Sequence, residues 1–150
     1  MDINRKAPIL SKGEVEIAAD TETVWKVLST LDRWPDWNPD VKSVSLEGSV
    51  AKGTKFRWRA GSWKIVSVIQ NVKHARQLVW TGRMMGIKAV DSWHLEPKGQ
   101  GTLVVNEESW DGVLAHFFRK SLQKALDNSG LAGLGHLKAE AERRAAKPRA

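Results

Sequence analysis

The sequence predicts an α+β fold in which one antiparallel sheet is paired with a long C-terminal helix. Three observations predict it. Six consecutive segments between Val41 and Trp110 have strand character and are separated by short turn signals, which implies an antiparallel meander. One more strand and a short amphipathic helix precede them. Beyond Gly112 the apolar residues change to helical spacing and keep it almost to the end of the chain.

Ile9 to Ala18 reads as the first strand, because Val15 and Ile17 alternate with Glu14 and Glu16. Asp20 is placed to cap the helix that follows. Across Thr21 to Leu31, Val24, Trp25, Leu28 and Leu31 recur at helical spacing. The next stretch is Trp34-Pro35-Asp36-Trp37-Asn38-Pro39-Asp40. Its two prolines bar a long helix and leave tight turns or one short helical turn, with both Trp rings expected to be largely buried. The strands then run Val41–Leu46, Lys55–Ala60, Trp63–Asn71, Gln77–Arg83, Lys88–Glu96 and Thr102–Trp110. They break at Glu47-Gly48, at Gly61-Ser62, in a polar loop through Arg76, near Met85-Gly86, over Pro97 to Gly101, and at Asp111-Gly112.

The last segment, Val113 to about Ala146, is helical. Leu114, Phe117, Phe118, Leu122, Ala125 and Leu126 form its first apolar face, and Leu131, Leu134, Leu137 and Ala141 continue it. Gly130, Gly133 and Gly135 weaken its middle, since each glycine costs about 1 kcal/mol relative to alanine in a helix. They mark a break, a close backbone approach, or room left for something bound.

Composition narrows the functional classes. The chain reads as one domain over residues 1–150, with 147–150 a disordered basic tail. Cysteine is absent, which excludes disulfides, thiolate metal sites and a Cys nucleophile. That absence fits a reducing compartment. The charged start has no apolar run behind it, and no stretch approaches the roughly 20 apolar residues of a membrane span. A cytoplasmic protein without a transmembrane segment is expected, as a monomer or weak homodimer. No Gly-x-Ser-x-Gly elbow, phosphate-cradling loop or dinucleotide fingerprint occurs, and no histidine has metal-ligand spacing to another ligand. Neither a metal nor a cofactor is expected. Part of the net charge of +7 sits in the last ten residues, where Arg143, Arg144, Lys147 and Arg149 are accompanied by Glu142 as the one acid of that stretch. Such a tail can be drawn to nucleic acid or anionic lipid, but a solvated terminus is the plainer reading and nucleic acid is not expected as a partner. Eight Trp, three Phe and no Tyr suit either a packed core or a lined cavity.

Four local patterns, in order, add a resemblance. The first is Val24-Trp25 followed by Leu31-Asp32-Arg33-Trp34-Pro35-Asp36-Trp37-Asn38-Pro39. The second is Arg76-Gln77-Leu78-Val79-Trp80-Thr81-Gly82. The third is Leu95-Glu96-Pro97, then Gly101-Thr102, then Glu107 to Gly112, and the fourth is Leu134-Gly135-His136-Leu137 through Glu142. Together they resemble the START-related helix-grip (SRPBCC) superfamily, in its bacterial polyketide cyclase/dehydrase-like branch, over nearly the whole chain from Val15 to Glu142. The resemblance implies a curved sheet of about seven strands wrapped around the long C-terminal helix, two short helices after the first strand, and a pocket between sheet and helix. It implies no particular reaction, because one fold hosts many functions.

Alternation and turn registers nominate the pocket residues. Thr102, Val104, Asn106, Glu108 and Trp110 share one face of the last strand. A symmetric turn over Pro97–Gly101 sets Trp93 opposite Val104 and Asp91 opposite Asn106; the turn over Arg83–Lys88 sets Trp80 near Asp91 and Leu78 near Trp93. Phe56 and Trp58 join them, with Ile65 and Ser67 across the Gly61-Ser62 turn, while Arg57, Arg59, Lys64 and His94 point outward. The resemblance makes this the concave surface. The ligand-binding set is therefore Phe56, Trp58, Ile65, Leu78, Trp80, Asp91, Trp93, Val104, Asn106, Glu108 and Trp110, closed by the helix near Leu126 and Leu134. Asp91, Asn106 and Glu108 could orient a ligand or do acid/base work, or be a hydrogen-bonded or solvated polar rim. Catalytic candidates are Asp91, Glu108 and, beside the apolar face of the helix, His136.

Three functions fit these residues. The leading one is binding or transport of a small hydrophobic molecule such as a lipid, polyketide or other apolar metabolite. The second is a cyclase or dehydratase working by general acid/base catalysis in the same pocket. The third is a protein- or RNA-interaction module, cochaperone-like or ribosome-associated, drawn by the positive charge.

Overall fold

The computed structural model describes residues 2–147. Apart from Lys147, the expected basic tail lies outside the described residues. Strand β1 (Ile9–Ile17) leads into helix α1 (Thr21–Ser29), whose first turn is capped by Asp20 Oδ1 accepting from the Thr23 N–H at 2.8 Å. A 3-10 turn (Leu31–Arg33) and the short helix α2 (Trp34–Trp37) follow. Pro35 sits in the first turn of α2, where its missing N–H removes nothing from the helix.

Six strands then form the meander: β2 (Val41–Leu46), β3 (Lys55–Ala60), β4 (Trp63–Lys73), β5 (Gln77–Met84), β6 (Ile87–Lys98) and β7 (Gly101–Asp111). The sheet is antiparallel throughout in the order β1-β7-β6-β5-β4-β3-β2, so the first strand lies beside the last. Register shifts between Val41 and Ser43 and between Ile69 and Asn71 mark bulges, which bend strands and increase their twist. The curved sheet and the long helix are those expected from the sequence.

The end of the chain differs in one respect. Helix α3 (Val113–Phe117) stops at Phe118, whose φ of −114° and ψ of 38° are not helical, and α4 (Arg119–Ala145) follows it. The predicted single apolar face is therefore split. Phe117, Phe118 and Leu131 are exposed, while Leu122, Leu126, Leu134, Leu137 and Ala141 are buried. No helix break occurs at the glycines: α4 runs unbroken through Gly130, Gly133 and Gly135.

Helix α4 is fastened to the sheet through β1. A Cβ on Gly13 would stand only 2.8 Å from Leu134 Cδ1, so Gly13 lets the helix approach closely. Lys138 Nζ donates to the Glu16 carbonyl at 2.8 Å, and the Ala18 N–H donates to Glu142 Oε2 at 2.8 Å. Two apolar clusters result. One gathers Ile17, Val24, Leu28, Trp34, Phe56, Leu78 and Leu137; the other gathers Ile9, Ile65, Met84, Ile87, Trp110 and Leu126. Among the described residues no helix is long and apolar enough to cross a membrane.

Candidate functional site

Between the two clusters, under α4, lies a cavity of about 500 Å³. Its walls are aromatic: every Trp of the chain except Trp25 lines it. The residues come from the concave face of the sheet, from α2 and the Asn38–Val41 segment, and from the α4 stretch between Ala125 and Gly133. Gly61, Asp40, Ala125, Asn128 and Ser129 line the cavity and are also exposed, so it reaches the surface between the β3–β4 turn and α4.

The Trp rings support one another. Trp34 packs edge-on to Phe56 and Trp58, with centroids 5.8 and 5.4 Å away, and tilted against Trp80 at 5.2 Å. Trp80 and Trp93 lie nearly parallel, 6.5 Å apart. Trp34 Nε1 donates to the Leu28 carbonyl at 2.9 Å, and Trp58 Nε1 donates to Ser67 Oγ at 3.0 Å. These bonds fix the rings from behind and leave their apolar bodies as wall.

A polar row crosses the floor between the two clusters. Asp91 on β6 stands directly opposite Glu108 on β7, and Asn106 stands opposite Trp93. Asn106 Nδ2 donates to Asp91 Oδ1 at 2.7 Å and to the Ser92 carbonyl at 3.2 Å. Trp110 Nε1 donates to Glu108 Oε2. The Trp93 N–H makes no hydrogen bond of good geometry, yet lies close enough to Asp91 to favour its charged form. Burial pushes the Asp91 carboxyl well above the ordinary carboxylate range, and the neighbouring Glu108 charge and hydrogen bond push it further. Burial raises Glu108 too, against the hydrogen bonds from Asp91 and Trp110. The pair is thus disposed to hold one proton between its two carboxyls.

A family model described as polyketide cyclase / dehydrase and lipid transport matches residues 9–142. The chain belongs to this family. Solved structures agree on the fold. A hypothetical protein from Helicobacter pylori superposes with a TM-score of 0.82 at 18% identity, covering 93% of this chain and 91% of that one. The Zhui aromatase/cyclase from Streptomyces sp. R1128 gives 0.79 at 18% identity, covering 90% and 94%. A START superfamily protein from Mycobacterium smegmatis gives 0.67 at 18% identity, covering 91% and 96%. At such identities the likeness concerns the helix-grip fold. No curated protein matches the sequence.

Within this fold the structure brings Trp58, Ile65, Trp80, Asp91, Trp93, Asn106, Glu108 and Trp110 together around the cavity. It leaves out six other sequence candidates. Phe56, Leu78 and Val104 are completely buried and fill the core beyond the Trp rings. Leu126 packs with Ile9 and Leu122 in the second cluster, and Leu134 is spent on the gap above Gly13. His136 follows Ala132 on the same stripe of α4, but the lining stops at Gly133, where the core around Leu134 and Leu137 takes over. The β6–β7 register is also corrected: Leu95, not Trp93, opposes Val104, and Glu108, not Asn106, opposes Asp91. The hairpin pairs as far as Lys98 and Gly101, which leaves only Gly99 and Gln100 at its tip. The shift is by two residues, so no side chain changes face.

Several lining residues were not nominated. Trp63, Gly82, Met84 and Ala89 share strand parity with Ile65, Trp80 and Asp91, and alternation alone could have found them. Trp34, Trp37, Asn38 and Asp40 belong to an irregular turn whose side-chain directions no period encodes.

Proposed function

We propose that this chain binds a small, largely apolar molecule in the Trp-walled cavity. The observation that carries the reading is the pairing of aromatic walls with one compact polar row, Asp91, Asn106 and Glu108, on the floor. Ligand sites are commonly built this way: apolar area supplies affinity and a few polar groups fix orientation. Family membership and the START superfamily neighbour support it. The absence of cysteine fits action inside the cell. The test is titration with 1-naphthalenemethanol, beside Gly133→Leu. A side chain at Gly133 meets only Trp93 Cη2 at 3.8 Å and otherwise projects into the space. Saturable binding that Gly133→Leu abolishes while the fold persists is expected; failure of the parent protein to bind any apolar probe would sink the reading.

The carboxyl pair favours a second reading, a cyclase or dehydratase, and the Zhui aromatase/cyclase is one of the fold neighbours that support it. Two carboxyls sharing one proton present an acid and a base side by side. The ionised member would take a proton from a substrate carbon while the protonated one gives its proton to a departing hydroxyl. Water leaves and the pair keeps its proton count. Turnover lost in Asp91→Asn or Glu108→Gln, with binding retained, is the outcome that separates an enzyme from a carrier.

A further inference from the structure

Resting on the reading of the cavity as a ligand site, we propose that its occupant is an organic cation, an apolar body carrying a protonated amine or quaternary ammonium group. The first ground is the sign of the charges. The chain holds 24 Lys and Arg against 17 Asp and Glu. Yet among the described residues no Lys, Arg or His lines the cavity, and every ionisable group that does is an acid: Asp91 and Glu108 on the floor, Asp40 at the mouth. The basic residues of the strands point away; Arg57, Arg59, Lys64, Arg83 and Lys88 are all exposed.

Each class of ligand meets these groups differently. An anion would lose its hydration beside two carboxyls with no counter-charge to receive it, which is the costly way to bury a charge. A neutral ligand fits the walls but leaves the crowding of Asp91 and Glu108 unrelieved. A cation neutralises that crowding and gives the buried carboxylates the partner they lack inside the protein.

The second ground is the aromatic surface around the acids. Trp80 is the cross-strand partner of Asp91 on β5, Trp93 lies two residues along β6 on the same face, and Trp110 donates its N–H to Glu108. Indole offers the most attractive aromatic face to a cation, and walls of this kind recognise quaternary ammonium groups. With their N–H edges directed at carboxylate or protein oxygen, Trp34, Trp58 and Trp110 are held as ring walls. The cavity of about 500 Å³ leaves room for a body of fused-ring size beyond the charged group.

Three probes of one shape test this with the full chain: 1-naphthylmethylamine as cation, 1-naphthalenemethanol as neutral and 1-naphthoate as anion. Calorimetric titration at neutral pH should rank them in that order, the amine ahead of the alcohol by about tenfold or more. The double variant Asp91→Asn with Glu108→Gln, checked for folding by circular dichroism, should lose that advantage, the amine then binding no better than the alcohol. Equal affinity for all three probes, or tightest binding of the naphthoate, overturns the cation assignment and leaves the ligand cavity standing. Binding of none of them overturns both.

Discussion

Asp91 and Glu108 face each other across β6 and β7, no basic residue among the described ones lines the cavity beside them, and folding raises the pKa of both. A carboxyl raised by folding keeps its proton in the native chain at pH values where the unfolded chain has lost it. Its contribution to stability is therefore best at or below about pH 4, and it falls as pH rises until the folded pair has ionised. Asp91→Asn removes one of the two crowded charges. It should melt above the parent protein at about pH 8, with the gap closing toward about pH 4. A variant that melts lower at the alkaline end would show that the Asn106–Asp91 hydrogen bond outweighs the burial of charge.

Glu140 should behave with the opposite sign. Arg143 donates to both its oxygens at 2.7 Å and Arg144 to one at 2.9 Å, which lowers its pKa to about 2. The stability this gives is full above about pH 4.5 and is lost as pH falls toward about 2. Both arginines are partly in solvent, so Glu140→Gln should cost about 1 kcal/mol or less at neutral pH, and only a small part of that near pH 2. Urea unfolding at the two pH values would read the difference.

Trp34 and Trp37 sit in the same turn of helix but do different work. Trp34 is 4% exposed, hydrogen-bonded through Nε1, and wedged among Phe56, Trp58 and Trp80. Trp34→Ala should cost about 3–5 kcal/mol in denaturant unfolding. Trp37 is only half-buried and lines the cavity, so Trp37→Ala should destabilise less and weaken binding of an apolar probe more. Equal losses of stability would place both rings in the core.

Gly112 and Gly135 give a second contrast. Gly112 has φ +107°, and a Cβ there would stand 2.3 Å from the Gly86 carbonyl oxygen. Gly112→Ala should cost about 1–3 kcal/mol through strain at the junction of β7 and α3. Around Gly135 a Cβ would meet nothing within 4 Å, so Gly135→Ala should gain about 1 kcal/mol of helix stability. Thermal melts of the two variants should move in opposite directions.

Strand phases were readable because alternation survives errors of turn length. The β6–β7 hairpin shows it: its tip is shorter than the Pro97–Gly101 stretch suggests, the pairing slides by two, and Asp91, Asn106 and Glu108 still face inward. The helical wall was less readable. The apolar stripe of α4 says which side meets the sheet, but not which turn covers a cavity and which fills the core. Leu126 and Leu134 therefore belong to packing, while Ala125, Ala132 and Gly133 roof the site. The break at Phe118 left no composition signal, since Phe117 and Phe118 are as apolar as any core residue and end in solvent.

The place of β1 beside β7 governs when the fold can close. Ile9 to Ile17 finds its partners in Thr102 to Trp110, and α4 then seats Leu134 above Gly13. The hairpins from β2 to β7 can form one after another as they leave the ribosome, each from neighbouring sequence. β1 must wait through the whole meander for β7, its neighbour among the described strands, with the apolar side of α1 uncovered meanwhile. Such long-range pairing slows folding and extends the time in which an open edge can meet another chain. A nascent chain that ends before β7 thus carries an N-terminal strand whose native neighbour has not yet been made, beside an open β6 edge.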